Sequence, residues 1–251
     1  MNTEDELLFK RFIELARKSD NGYYLFSDFL GLSEQSVFNE AKKSLGRARY
    51  TLFGGAEGCE RIMVRFGDPE ANGYEEDFPI KILLVEPKAQ KFADKLTHRD
   101  FLGAILNLGI ERKTVGDIVI KDNVGYVFVK DDIADYVASS LETVKHTDVR
   151  VKITDSIPST ELFRTERRKV QLSGERLDAV ISKLYSMSRE DSLALFKKRL
   201  VFVSGKLCEN NSYAPKENDV ISVRGYGRFI YVGVSGTSKK GKLNVDIDVY
   251  I

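Results

Sequence analysis

Between Ile80 and Thr154 the hydrophobic period switches in a fixed order, and this order most restricts the fold. "IKILLVE" (80–86) reads as a buried strand. "HRDFLGAILNLGI" (98–110) reads as a helix with Phe101, Leu102, Ile105 and Leu108 on one face and Gly109 as its stop. "GDIVIKDNVGYVFVK" (116–130) reads as a hairpin turning near Asp122 and Asn123. "DDIADYVASSLETV" follows as a helix capped by Asp131 or Asp132, and "DVRVKIT" closes the block as an alternating strand. The order strand, helix, strand, strand, helix, strand is that of a split βαβ sandwich. The expected fold class is therefore α+β, with a central ferredoxin-like (RRM-like) βαββαβ domain at 73–157.

The flanks read differently. Residues 1–72 form a helical and hairpin region. Leu7, Leu8, Phe12 and Leu15 recur at helical spacing behind an acidic first turn, and "SEQSVFNEAKKSL" makes a second helix with Ser33 as N-cap. "RYTLF" and "ERIMVRF" pair around the glycine-rich "GGAEG", and "GDPEANGYEEDFP" is a loop and boundary. Beyond the central block lies a polar connector, "DSIPSTELFRTERRKVQLSGE". A compact module at 174–235 follows, then a basic hairpin and strand tail at 236–251. In "ERLDAVISKLY" a helical face carries Leu177, Val180, Ile181 and Leu184, with Asp178 as a surface or helix-start residue. "SREDSLALFKKR" opens with a capping box, Ser188 accepting from the Asp191 backbone while Asp191 reaches back. "LVFVSGK" and "DVISVRG" are strands, with Gly205 at a turn.

Charge separates the two ends. The whole chain of 251 residues carries a formal charge of only +1. Residues 164–242 nevertheless hold 17 Lys and Arg against 8 Asp and Glu, while residues 1–163 hold 22 against 28. A basic module on an acidic body suits a polyanionic partner, although a basic face without function is the plainer alternative. No apolar run approaches the ~18 residues of a membrane span. The start "MNTEDELLFKRF" lacks the pattern of a signal peptide, so a cytoplasmic location is expected. Cys59 and Cys208 lie far apart and read as free thiols, and His98 and His146 have no cysteine at ligand spacing. Neither a metal nor another cofactor is expected. "GTSKKGKL" places Gly236, Gly241 and Lys242 at P-loop spacing, but Leu243 stands where Mg²⁺ chemistry needs Ser or Thr, so it reads as a basic hairpin tip.

Within the basic module, Lys197, Lys198 and Arg199 close a helix, where cations oppose its dipole. That alone accounts for these three as a solvated helix end. It leaves Arg189 unexplained, because a cation in the first turn is unfavourable there unless an anion joins it. A phosphate would satisfy both the Arg and the helix end.

These residues also carry a resemblance. Arg176-Leu177-Asp178, Ser188-Arg189, the Val201-x-Val203-x-Gly205-Lys206 turn, and Pro215 followed by Asp219-Val220-Ile221 together resemble an S4 RNA-binding domain. Many such domains carry Gly-His ahead of the first strand and Asn-Gly in the turn, where this chain has Arg199, Leu200 and Ser204. "FGGAEGCER", "LTHRDFLGAILNLGIERKTVGDIVI" and "VRGYGRF" extend the likeness across nearly the whole chain to the bacterial YlmH family. The resemblance implies binding to rRNA of the large ribosomal subunit, with peptidyl-tRNA as a further partner, in rescue of stalled translation by a monomer. It implies RNA contacts first from Arg176 and Arg189, with Ser188 holding the helix start. Lys197, Lys198, Arg199, Lys206, Arg224 and Arg228 support them, and His98, Arg99, Arg112 and Lys113 fall in the central motif. Arg167, Arg168 and Lys169 add non-specific attraction.

Two further observations bear on mechanism. "GYVFV" is faintly similar to the aromatic strand of an RRM sheet, with Tyr126 and Phe128 on one face. "IKILLVE" supplies no second aromatic strand, so core packing is the better role for Phe128. "RLDAVIS" superficially resembles the catalytic Arg-Leu-Asp stretch of S4-linked pseudouridine synthases, yet the chain offers no recognisable catalytic domain. A non-catalytic RNA binder is expected, with an RNA-modifying enzyme or a protein-interaction scaffold as the alternatives.

Overall fold

The computed structural model describes residues 3–155, 157 and 162–251. The chain divides into two compact units, Met1–Phe163 and Arg164–Ile251, each described here by itself.

The first unit opens with α1 (Thr3–Ser19), whose acidic first turn suits the positive end of the helix dipole. Phe12, Leu15 and Ala16 are buried, whereas Leu7, expected on the same face, is 62% exposed. α2 (Leu32–Ala41) starts one residue before the expected cap. Gly31, in extended conformation, takes the N-cap position, so Ser33 lies within the first turn. Strands β1 (Leu25–Phe26), β2 (Tyr50–Phe53) and β3 (Met63–Phe66) form an antiparallel sheet in the order β1-β3-β2. β2 and β3 are the hairpin around the glycine-rich loop, in register Tyr50↔Phe66. The segment expected as a loop contains a short helix, α3 (Pro69–Asn72). The Asp68 carboxylate accepts the Glu70 N–H at 3.1 Å and Pro69 pre-sets the first turn, which is enough to wind it.

The central block follows as β4 (Ile80–Pro87), α4 (His98–Leu106), β5 (Val115–Lys121), β6 (Val124–Lys130), α5 (Asp131–Ser140), β7 (Thr143–Val144) and β8 (Thr147–Thr154). Its antiparallel sheet has the order β5-β6-β4-β8-β7. Asp122 and Asn123 turn the β5–β6 hairpin at φ of 50° and 63°, which Asp and Asn tolerate better than most residues. α5 is capped by Lys130 rather than by Asp131 or Asp132, whose charges fall in its first turn and favour the dipole from there.

Strand alternation splits the sheet's side chains between two cores. Leu83, Val85, Val127 and Val129 face α4 and α5, packing with Phe101, Ile105, Ala134 and Val137. Ile82 and Phe128 point the other way, into a cluster with Phe29, Ala56, Met63 and Leu162. The second face is therefore covered by the N-terminal region, and Phe128 is fully buried. The approach is close: a Cβ on Gly116 would stand 2.7 Å from the Phe29 ring and 3.0 Å from the Phe128 Cβ.

The second unit is built on one antiparallel six-stranded sheet. Its strands are β9 (Thr165–Leu172), β10 (Val201–Val203), β11 (Lys206–Leu207), β12 (Val220–Val223), β13 (Gly227–Thr237) and β14 (Leu243–Tyr250), in the order β11-β10-β12-β13-β14-β9. β9 lies where the sequence reads as a polar connector. Its run "TERRKVQL" has no apolar alternation because nearly all of its side chains are exposed; its place comes from eight backbone pairings with β14. Helices α6 (Leu177–Leu184) and α7 (Arg189–Lys197) bury Leu177, Val180, Ile181, Leu195 and Phe196 against Ile221, Val223, Phe229, Tyr231, Val245 and Ile247.

Candidate nucleic-acid interface

The N-terminal ends of α6 and α7 meet at Asp178. Arg176 is the N-cap residue of α6, with extended backbone, and Asp178 sits in the first turn, fully buried. The Asp178 carboxylate accepts Arg176 Nε at 3.0 Å and Nη2 at 2.9 Å, and the Ala179 N–H at 3.0 Å. Arg189, the first residue of α7, places its Nε 3.8 Å from the same carboxylate. Of the two places expected for Asp178, surface or helix start, the structure gives the helix start, and there the side chain is buried. Its charge is tolerated inside because a bidentate guanidinium and a helix N–H compensate it. Burial acts to raise its pKa, but Arg176, Asn211 and the Ala179 N–H outweigh it and hold the carboxyl below the usual range. The backbone of Asp178 is tied as well. Its carbonyl accepts the buried Ser192 hydroxyl at 2.7 Å and its N–H donates to Asn211 at 3.2 Å.

Both arginines keep their outer faces in water, with side chains 41% exposed at Arg176 and 71% at Arg189. Ser188 caps α7, its Oγ accepting the Asp191 N–H at 3.0 Å. Asp191 reaches back to the Ser188 hydroxyl at 2.6 Å rather than to the Ser188 backbone N–H. The mild penalty of a cation at the start of α7 is offset by Asp178, Glu190 and Asp191.

The far end of α7 finishes in a Schellman motif: Leu200 N–H donates to Leu195 at 3.0 Å and Arg199 N–H to Phe196 at 3.0 Å. Arg199 occupies the left-handed position at φ +58°, where glycine is usual. Lys197, Lys198 and Arg199 are exposed; Arg199 stands 3.5 Å from Glu209, an exposed pair of little energetic weight. The β10–β11 turn holds Ser204 and Gly205 at φ of 47° and 73° and leads to exposed Lys206. Arg224 lies over Phe202 at 5.1 Å and Arg228 over Tyr250 at 3.9 Å, so both guanidiniums are held by aromatic faces.

The basic run of β9 is largely neutralised. Arg167 pairs with Asp248, Lys169 with Asp246 at 3.5 Å, and Arg168 with Glu166 at 2.9 Å. The first two are cross-strand partners in the β9–β14 register, a relation that the linear sequence does not reveal. "GTSKKGKL" forms the β13–β14 turn, where Ser238 N–H donates to Lys242 at 2.7 Å and Lys242 N–H to the Ser238 hydroxyl at 3.0 Å.

In the first unit, His98 opens α4 and is exposed on one side; desolvation on the other, then Arg112, lowers its pKa. Arg99 is exposed beside it. Arg112 turns inward: one amine donates to the carbonyls of Val115 and, at 3.2 Å, Gly116, and burial, followed by the nearby Arg61, brings its pKa down to about 10. Lys113 pairs with Glu111 at 2.6 Å. Sequence reasoning missed the neighbouring anchor. Arg61 donates to Val115 and Phe29, each at 3.0 Å, and Asp117 accepts the N–H groups of Glu60 at 2.6 Å and Arg61 at 3.0 Å. This ties the end of the glycine-rich loop to β5. An Arg and an Asp within the quoted motifs were the only signal.

Residues 73–157, the span of the β4–β8 sheet with α4 and α5, match a family model described as "Putative RNA-binding domain in YlmH". The class is thus an α+β protein whose central sheet domain matches that family model. The chain is 31% identical over 229 residues to the Ribosome-associated protein quality control protein P2 of Bacillus subtilis (strain 168), across 88% of this chain and 86% of that one. It belongs to the YlmH family. A solved structure, the cell division protein ylmH from Streptococcus pneumoniae, aligns at 21% identity with a TM-score of 0.49, covering 64% of this chain and 95% of that one.

Proposed function

We propose that this protein binds rRNA of the large ribosomal subunit, together with peptidyl-tRNA, and acts without catalysis in rescue of stalled translation. The observation that carries the reading is the pair of solvent-facing guanidiniums, Arg176 and Arg189, set on one buried carboxylate. Asp178 orients both guanidiniums while their outer N–H groups stay in water, a donor arrangement suited to a phosphate chain. The name of the Bacillus subtilis relative supports ribosome association. In this reading residues 174–235 are an S4 module and 73–157 a ferredoxin-like domain, the latter supported by the strand order β5-β6-β4-β8. Lys197, Lys198, Arg199, Lys206, Arg224 and Arg228 extend the phosphate path. His98, Arg99 and Lys113 offer a second contact region, with Arg112 as its internal support. Burial of Phe128 argues against base stacking on the central sheet in the manner of an RRM.

A buried Asp178 hydrogen-bonded to Arg176 and ion-paired with Arg189 also favours a binding role for the Arg-Leu-Asp trio over a synthase-like one, in which the carboxylate must meet a substrate. Crosslinking in cells followed by sequencing of the bound RNA tests the proposal. Recovery of large-subunit rRNA and tRNA is expected; recovery of diverse messages would contradict it.

A further inference from the structure

We propose that Tyr226 stacks on one unpaired RNA base beside the arginine corner. The inference rests on the RNA-binding reading above and adds a base-recognition element to its phosphate contacts. Tyr226 sits in the Gly225-Tyr226-Gly227 turn between β12 and β13, half exposed at 50%. Gly225 and Gly227 adopt φ of +85° and +133°, and the Tyr226 N–H donates to Val223 at 3.0 Å, so the turn is tightly constrained. Tyr185 packs against the ring at a tilt, at 5.5 Å and 51°, and Tyr185 in turn meets the buried Phe229 edge-on at 6.4 Å and 63°. Three aromatic rings thus touch in series, through one tilted and one edge contact, from the core to the solvent.

A single exposed tyrosine usually needs no explanation. This one differs in its support and its flanks. Arg224 and Arg228 lie two residues to either side, each held over an aromatic ring. Tyr185 also closes α6 only three residues before Ser188 caps α7, and that turn is fixed by bonds between Ser182 and Met187 in both directions, at 2.8 and 3.0 Å. The supporting Tyr185 ring and Arg189 are therefore positioned by one hydrogen-bonded turn, and Tyr226 reaches that turn through its contact with Tyr185. An exposed aromatic face bordered by cations is the arrangement that binds an unstacked base while its phosphates are held alongside.

The test compares two RNA probes with the full-length protein at one salt concentration: a duplex of about 16 base pairs and the same duplex carrying one bulged adenosine. Wild type is expected to prefer the bulged RNA. Tyr226→Ala should lose roughly 5- to 100-fold in affinity for it, with little change on the plain duplex, while Tyr226→Phe keeps the preference. The chain contains no tryptophan, so Tyr226→Trp supplies a single reporter whose fluorescence should be quenched by the bulged RNA alone. Equal binding of both probes, or an unchanged preference in a folded Tyr226→Ala, overturns the stacking inference and leaves phosphate binding standing. Failure of wild type to bind either probe overturns both.

Discussion

Arg176 and Arg189 share a single counter-charge: the buried Asp178 carboxylate lies 2.9 Å from the first guanidinium and 3.8 Å from the second. One side chain therefore sets the direction of two cations from two helices. Asp178→Asn keeps the shape and removes the charge. It should destabilise the C-terminal unit by about 1.5–3 kcal/mol, the usual worth of hydrogen bonds to an ionised group. Urea unfolding of the full chain, with amide exchange resolved over residues 164–251, measures the loss; an effect within about 0.5 kcal/mol, the range of an ordinary surface substitution, would contradict the role assigned to Asp178.

The same carboxylate makes this unit acid-sensitive. Its folded pKa is depressed despite burial, with Arg176 the leading lowering influence, so ionised Asp178 favours the folded state. That contribution is complete above the unfolded pKa of about 3.9 and disappears as pH falls through the lower folded value. The stability gap between wild type and Asp178→Asn should thus be constant from about pH 7 to 5 and narrow below about pH 4. A gap that widens on acidification would reverse the assigned sign.

Arg199 occupies a backbone position that favours glycine, at φ +58° in the Schellman turn. Arg199→Gly removes a left-handed penalty of about 1–2 kcal/mol and returns part of it as unfolded-state entropy. A net gain of about 0.5–1 kcal/mol in the same unfolding assay is expected, accompanied by weaker RNA binding. Improved stability with undiminished binding would remove Arg199 from the phosphate path.

Gly116 lies where the central sheet meets the N-terminal cluster. A methyl group there must displace the Phe29 ring from 2.7 Å, so Gly116→Ala should cost about 1–3 kcal/mol through overpacking. Thermal unfolding checks this, and an unchanged melting temperature would mean that the sheet face is loosely covered.

The two-period pattern made the main elements of residues 80–154 legible, because each buries one regular face, but the helix read through Val144 ends at Ser140 and Thr143–Val144 form β7, paired with Thr147 and Asp148. Helices α6 and α7 were legible for the same reason. β9 was not: a charged strand held by backbone pairing to residues some eighty positions away leaves no periodic trace. The helix-start place of Asp178 was legible, but its burial was not, because that depends on Arg176 beside it and on α7, which the sequence places eleven residues later. Tyr226 was visible as an aromatic between two glycines, but its support by Tyr185 exists only in three dimensions. Helix caps fall one or two residues earlier than the side chains suggest where a neighbouring backbone takes the position, as at Gly31 and Lys130.

The salt dependence of RNA binding tests the central claim most directly. With about 4 to 6 phosphates neutralised, a plot of log affinity for large-subunit rRNA against log salt should have a slope of roughly −3 to −5. Arg176→Ala combined with Arg189→Ala should weaken binding and flatten that slope by about 2. A flat response in wild type, or a double variant that binds rRNA with unchanged affinity and slope, would contradict the account.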